Sequence, residues 1–180
     1  EAYQTEAPSL WDVTFRTAVA QAELEDREQP SAYHQLKFHS STDHGEVIID
    51  TTRPELLPAC VALVTHPNDV RYQSLLGTTV TTPIFDVEVP VLSHELADPD
   101  KGTGIAMVCT FGDTTDVTWW RELDLPVRAI IDRSGRITSS PPDVISSPRG
   151  LEAFKMMSGK TIFSAKKEIV QLLQDAGEMV

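Results

Sequence analysis

Between positions 61 and 131 the chain is a succession of short apolar or β-branched runs, at 61–65, 78–82, 84–87, 89–92, 105–109 and 127–131, each closed off by Pro, Gly or Asp. Runs of four or five residues have the length of strands, and the residues between them are those that make turns. Many short strands with few long helical patterns predict a β-rich α+β fold: a closed or strongly twisted β-barrel core with a few helices at its periphery. With 180 residues, 41% of them hydrophobic, the chain can bury one sizeable core, and residues 1–180 are expected to form a single domain.

Two more strands, at 33–39 and 46–50, flank the polar turn 41–45 and predict a hairpin. The stretch 14–28 is ambiguous. Its Ala, Gln, Glu and Leu favour a helix, whereas Val13, Phe15, Thr17 and Val19 alternate as in a strand; we prefer the strand, running on into Ala22 and Leu24. Helices are expected late, at 113–123, 149–157 and 161–176. In the last of these Ile162, Ala165, Ile169, Leu172 and Leu173 share a face before Gly177 stops the helix. Thr78, Thr79, Thr81 and Thr82 read as the outward face of a strand, and Trp119 and Trp120 as one core and one interface position.

The net charge of −12 argues against a general nucleic-acid binder, because phosphate affinity rests on clustered Lys and Arg. Any RNA contact must be local. No apolar run is long enough to cross a bilayer, and Glu1 to Glu6 lack the pattern of a signal peptide, so a cytoplasmic protein is expected. Cys60 and Cys109 form no CxxC pair, and His34, His39, His44, His66 and His94 are scattered, so no metal site is expected. Without a GxGxxG pattern, no dinucleotide cofactor is expected either. The segment Lys155 to Lys160 superficially matches a KMSKS loop, but a helix end closed by Gly159 explains it better. The start at Glu1 reads as the edge of a segment cut from a larger protein.

Two stretches can carry chemistry. In Thr51-Thr52-Arg53-Pro54-Glu55 an apolar strand runs into a Pro suited to a first helical turn, exposing backbone N–H groups and hydroxyls beside a planar guanidinium. That combination suits a phosphate or the 3′-terminal ribose of RNA; the plain alternative is a Thr-rich strand end followed by a Pro that starts a helix. The second stretch is Gly102-Thr103-Gly104, the strand 105–109, and then Gly112, Asp113 and Asp116. Two carboxylates three residues apart lie on one side of a helix start, within reach of one cationic ligand. For Asp113 a capping role and a ligand contact are equally plausible; Asp116 is harder to dismiss as a cap.

Together these stretches resemble the valyl-tRNA synthetase family, whose inserted editing (connective-peptide) domain carries a TTRPE segment followed by a GTG segment ending in Asp-x-x-Asp. The likeness extends to AVAQAELE at 18–25, HPND at 66–69, the VPVL strand with Asp98-Pro99, and the closing helix. It implies the class I synthetase editing-domain fold and hydrolysis of threonine wrongly esterified to the 3′ end of tRNA(Val), without cofactor or metal. In that reading Asp116 anchors the amino group with Asp113 as its neighbour, Thr51, Thr52 and Arg53 hold the terminal nucleotide, and a positioned water attacks without a protein nucleophile. The partners implied are the tRNA end and the remainder of a parent enzyme, with the domain monomeric. A hydrophobic synthetic pocket rejects an isostere bearing an added hydroxyl only weakly, the valyl enzymes being the standing example, which is why a second pocket is needed.

Three positions depart from much of the family: Met107 stands for a lysine, Cys109 for a threonine, and Lys101 for an aromatic residue. Met107 offers no charge, which moves recognition of the threonine hydroxyl to Asp113, Asp116 or backbone groups. Lys101 is positioned to meet a phosphate, and Cys109 to pack or line the pocket. The alternatives are an isoleucyl- or leucyl-type editing domain, which usually carries a different threonine-rich segment, and a non-catalytic RNA-binding barrel, which should show exposed aromatic and basic residues.

Overall fold

The computed structural model describes residues 8–20, 22, 32–40 and 45–180. Leu10–Asp12 (β1) and Thr17–Val19 (β2) pair antiparallel as a small hairpin of their own. The main sheet contains His34–Ser40 (β3), Glu46–Thr51 (β4), Ala62–Thr65 (β5), Thr79–Thr81 (β6), Glu88–Ser93 (β7) and Ile105–Val108 (β8). Its order is β4-β3-β6-β7-β5-β8, antiparallel throughout except for β5 beside β7. The outer strands β4 and β8 lie against each other, so the sheet rolls into a nearly closed barrel with a seam between them. The seam is tight: a Cβ on Gly102, just ahead of β8, would lie 3.0 Å from the Cβ of Asp50 on β4.

Period-two alternation determines which side chains fill the barrel. Leu36 opposes Ile49 and Phe38 opposes Val47 across the β3–β4 hairpin, and all four are buried. Leu63, Val89, Val91 and Phe85 join them. The helices Pro148–Met157 (α2) and Ile162–Asp175 (α3) close this core with Phe154, Met157, Ala165, Ile169 and Leu173. The opposite face of β5 and β8 presents Ala62, Val64 and Val108 to a second cluster, covered by Trp119 of the helix Thr114–Glu122 (α1). Each helix begins on a side-chain cap: Asp113 accepts from the Asp116 amide, Ser147 from Gly150 and Thr161 from Ser164. Gly177, at φ 72°, stands just past α3, where a left-handed residue ends a helix readily.

The β-rich barrel with peripheral helices, the hairpin and the three helices are therefore as the sequence predicts, although turn residues 41–44 lie outside the described residues. Four local expectations fail. Residues 84–87 form a turn rather than a strand, with Ile84 at φ 65° and Asp86 at φ 54°, because the β6–β7 hairpin reverses there and buries Ile84 and Phe85 as its plug. Thr82 does not face outward: it is buried, and its hydroxyl accepts from the Val87 amide across that reversal at 3.0 Å. Residues 127–131 join no strand: Ile131 bridges to Ile137, and the Ile130 carbonyl accepts from the Thr138 amide at 2.9 Å. The alternating stretch from Val13 is broken by a turn between β1 and β2 that leaves Val13 and Phe15 exposed, and Ala22 lies in a 3-10 turn rather than in the strand; Leu24 lies outside the described residues.

Candidate functional site

The strand β4 delivers Asp50, Thr51 and then Thr52 and Arg53 to the barrel seam, where Pro54 begins a buried 3-10 turn, Pro54–Ala59. A proline suits this first turn because the amide it lacks would have had no partner there. The Arg53 amide donates to Thr51 Oγ1 at 3.1 Å, and its guanidinium donates through Nη1 to the Gly112 carbonyl at 3.3 Å. Arg53 Nε lies 3.7 Å from Glu55 Oε1. Burial pushes the Glu55 carboxyl up, against its backbone hydrogen bond and the charges of Arg53 and Lys166.

On the other side of the seam, β8 ends at Val108 and the chain turns sharply through Thr110, which sits at φ 60°. A β-branched residue in the left-handed region is strained and persists only where its surroundings over-determine it. Here the buried Thr110 hydroxyl accepts from the Arg128 amide at 3.0 Å and donates to the Arg128 carbonyl at 3.3 Å. The segment 127–131 thus serves as a splint for this turn. Gly112 follows, and its amide donates to Asp116 Oδ2 at 2.8 Å. Asp113 caps α1 by accepting the Asp116 amide at 2.9 Å.

Asp116 is only 9% exposed. Burial, and next the charge of Asp113, push its carboxyl up to about 6, against the pull of the Gly112 and Asp113 backbone hydrogen bonds and the Arg53 charge. It is therefore largely ionised at neutral pH yet poorly solvated, a state that a bound cation relieves. Cys109 is also buried; loss of solvation, and next the Cys60 thiol beside it, push its own thiol well above the usual value.

These residues meet in one cavity of about 430 Å³ at the seam. The residues given a contact role from the sequence, Thr51, Thr52, Arg53, Lys101, Met107, Cys109, Asp113 and Asp116, all line it, whereas Pro54, Glu55 and Thr103 of the same stretches do not. Asp113 is both a cap and a lining residue, so the two readings of it are compatible. Lys101 is exposed at the rim and Met107 half-buried in the wall. Among the described residues no histidine lines the cavity, and no group of three or more His, Cys, Asp or Glu side chains is placed to hold a metal ion. Among the described residues, no helix is long and apolar enough to cross a membrane.

Sequence reasoning missed Asp50 and Trp119. Both line the cavity, and each keeps one buried polar atom, Asp50 Oδ1 and Trp119 Nε1, without a hydrogen-bond partner among the described residues. Trp119 was findable, since it stands three residues beyond Asp116 on the same helix and so on the same face. Asp50 was not, because only the closing of the seam turns its face of β4 into a pocket wall.

No family profile matches the chain. It is 67% identical over 180 residues to a valine–tRNA ligase of Leifsonia xyli and 64% identical over 181 residues to that of Thermobifida fusca, covering the whole of this chain in both cases. The chain spans about one fifth of the length of these relatives, at 21% and 20%. Among solved structures, the fold is shared with GlLeuRS-CP1, at a TM-score of 0.59 and 15% identity over 83% of this chain and 98% of that one. It is shared likewise with a leucyl-tRNA synthetase of Agrobacterium radiobacter K84, solved as a ternary complex with tRNA and LeuAMS, at a TM-score of 0.57 and 17% identity over 82% of this chain and 19% of that one. The barrel and its helices thus have the fold of a synthetase CP1 domain. Within that class the chain corresponds to one segment of the valine–tRNA ligases.

Proposed function

We propose that this domain, as a single module of a larger cytoplasmic ligase that attaches valine to tRNA(Val), hydrolyses threonine wrongly esterified to the 3′ end of that tRNA. The observation that carries the reading is the Asp116 carboxylate, enclosed in the seam cavity and held there by the Gly112 amide. An aminoacyl ester presents a cationic α-amino group, and a buried, under-solvated carboxylate is its natural counter-ion. Arg53, with its planar set of donors, and the hydroxyls of Thr51 and Thr52 then face the ribose and phosphate of the terminal nucleotide, while Lys101 at the rim meets a further phosphate.

Selectivity follows from polarity. Met107 offers an apolar wall and Asp113 an acceptor for the threonine hydroxyl; valine, the same shape without the hydroxyl, makes no such hydrogen bond. The ester is already activated, and water suffices as nucleophile: its oxygen bonds to the carbonyl carbon, the ribose oxygen leaves carrying a proton, and free threonine and tRNA result. The Cys109 thiol, held protonated by burial, is a poor nucleophile. The domain is expected to act as a monomer.

The experiment is to present threonyl-tRNA(Val) and valyl-tRNA(Val) to the full-length parent enzyme. Preferential release of threonine supports the reading; equal, or no, release from both refutes it.

A further inference from the structure

The peptide unit joining Thr52 to Arg53 is clamped at both ends. Its N–H donates to Thr51 Oγ1 at 3.1 Å, and its carbonyl, on the opposite side of the same rigid plane, accepts from Lys166 Nζ at 2.5 Å. Lys166 lies on α3, 114 positions further along the chain, and is half-buried where that helix packs on the 3-10 turn Pro54–Ala59. Because the C=O and N–H of a trans peptide lie on opposite sides of one rigid plane, holding both restrains that plane and the Arg53 Cα at its edge, from which the Arg53 φ of −130° directs the side chain. Arg53 is thereby aimed at the Gly112 carbonyl, next to the amide that holds Asp116. Lys166 is also close enough to the buried Glu55 for its charge to be felt there, so Glu55 lies under the influence of two cations, Arg53 and Lys166. We propose that Lys166 is a positioning residue of the seam pocket, which reaches from the last helix to lock the Thr52–Arg53 peptide and thereby orient the Arg53 guanidinium toward the substrate's terminal nucleotide. The link to substrate rests on the editing function proposed above; the clamp itself does not.

The test compares Lys166→Met and Lys166→Arg with the wild type in the full-length parent enzyme. Amide hydrogen exchange reads the clamp directly, and Pro54, which has no amide, helps to isolate the Arg53 signal. In Lys166→Met the Arg53 amide should exchange about tenfold faster while the β3–β4 ladder stays protected, since one charge-assisted hydrogen bond is removed. Threonine release should show kcat/KM reduced about tenfold, mainly through a higher KM, and Lys166→Arg should restore both readouts to within about threefold. Unchanged Arg53 exchange in Lys166→Met overturns the proposal. So does faster exchange with threonine release within about twofold of wild type, or a loosened β3–β4 ladder that arginine does not repair, which marks a merely structural lysine. If the wild type itself releases no threonine, the editing reading fails, and the clamp stands or falls on exchange alone.

Discussion

The amide of Gly112 donates to Asp116 Oδ2 over 2.8 Å, and a Cβ at position 112 would lie 2.5 Å from that same oxygen. The absence of a side chain is therefore a requirement of the site. Gly112→Ala should displace the Asp116 carboxylate and cost about 1–3 kcal/mol of stability through forced repacking. Threonine release should fall by about tenfold or more, the loss expected when a charge-assisted contact goes. Chemical unfolding and deacylation kinetics check the two halves; retention of full activity would show that Asp116 need not sit where it does.

Asp116→Asn should separate function from stability. The folded-state carboxyl titrates at about 6, above its usual 3.8, so the folded protein binds more protons than the unfolded chain between those values. Its stability therefore falls as pH rises through that window and stays lower above it. A neutral amide escapes this cost, so the variant should be more stable than wild type by roughly 2–3 kcal/mol at about pH 7.5, with the gain vanishing near about pH 4. Threonine release should be lost. Unfolding curves at both pH values, set beside deacylation rates, give the answer, and a destabilised variant at neutral pH would contradict it.

If ionised Asp116 receives the α-amino group, wild-type kcat/KM should drop as pH is lowered through about 6. A profile that stays flat down to about pH 5 would place the essential ionisation elsewhere.

Cys109→Ala tests the nucleophile. The thiol is buried and kept protonated, so the variant should retain threonine release within about threefold and lose only about 1 kcal/mol through the small cavity left behind. Loss of all activity, or a trapped thioester on the wild type, would instead assign Cys109 a covalent role.

Thr110→Val removes the two hydrogen bonds to Arg128 yet keeps a β-branched side chain at φ 60°. The strain then has no compensation, and a loss of about 2–3 kcal/mol is expected, with the Cys109–Gly112 turn becoming faster in hydrogen exchange. An unaltered melting transition would mean that the splint is dispensable.

Chain periodicity alone determined much of this protein. Alternation in 33–39 and 46–50 specified the hairpin, and the shared face of Ile162, Ala165 and Ile169 specified α3. These are interactions between residues near in sequence, where propensity and burial agree. The motif residues around Thr51 and Asp116 were likewise legible, because a strand end running into a helix start has a local signature. What the tertiary structure alone decided are the places where distant segments impose a conformation against local preference. Ile84 sits left-handed because burial in the barrel outweighs its β preference, and 127–131 stays out of the sheet because it splints Thr110. Asp50 faces a pocket only because β4 and β8 meet at the seam, and Lys166 reaches Thr52 only because α3 packs there. Such contacts depend on how the barrel closes, and no short window of sequence encodes that closure.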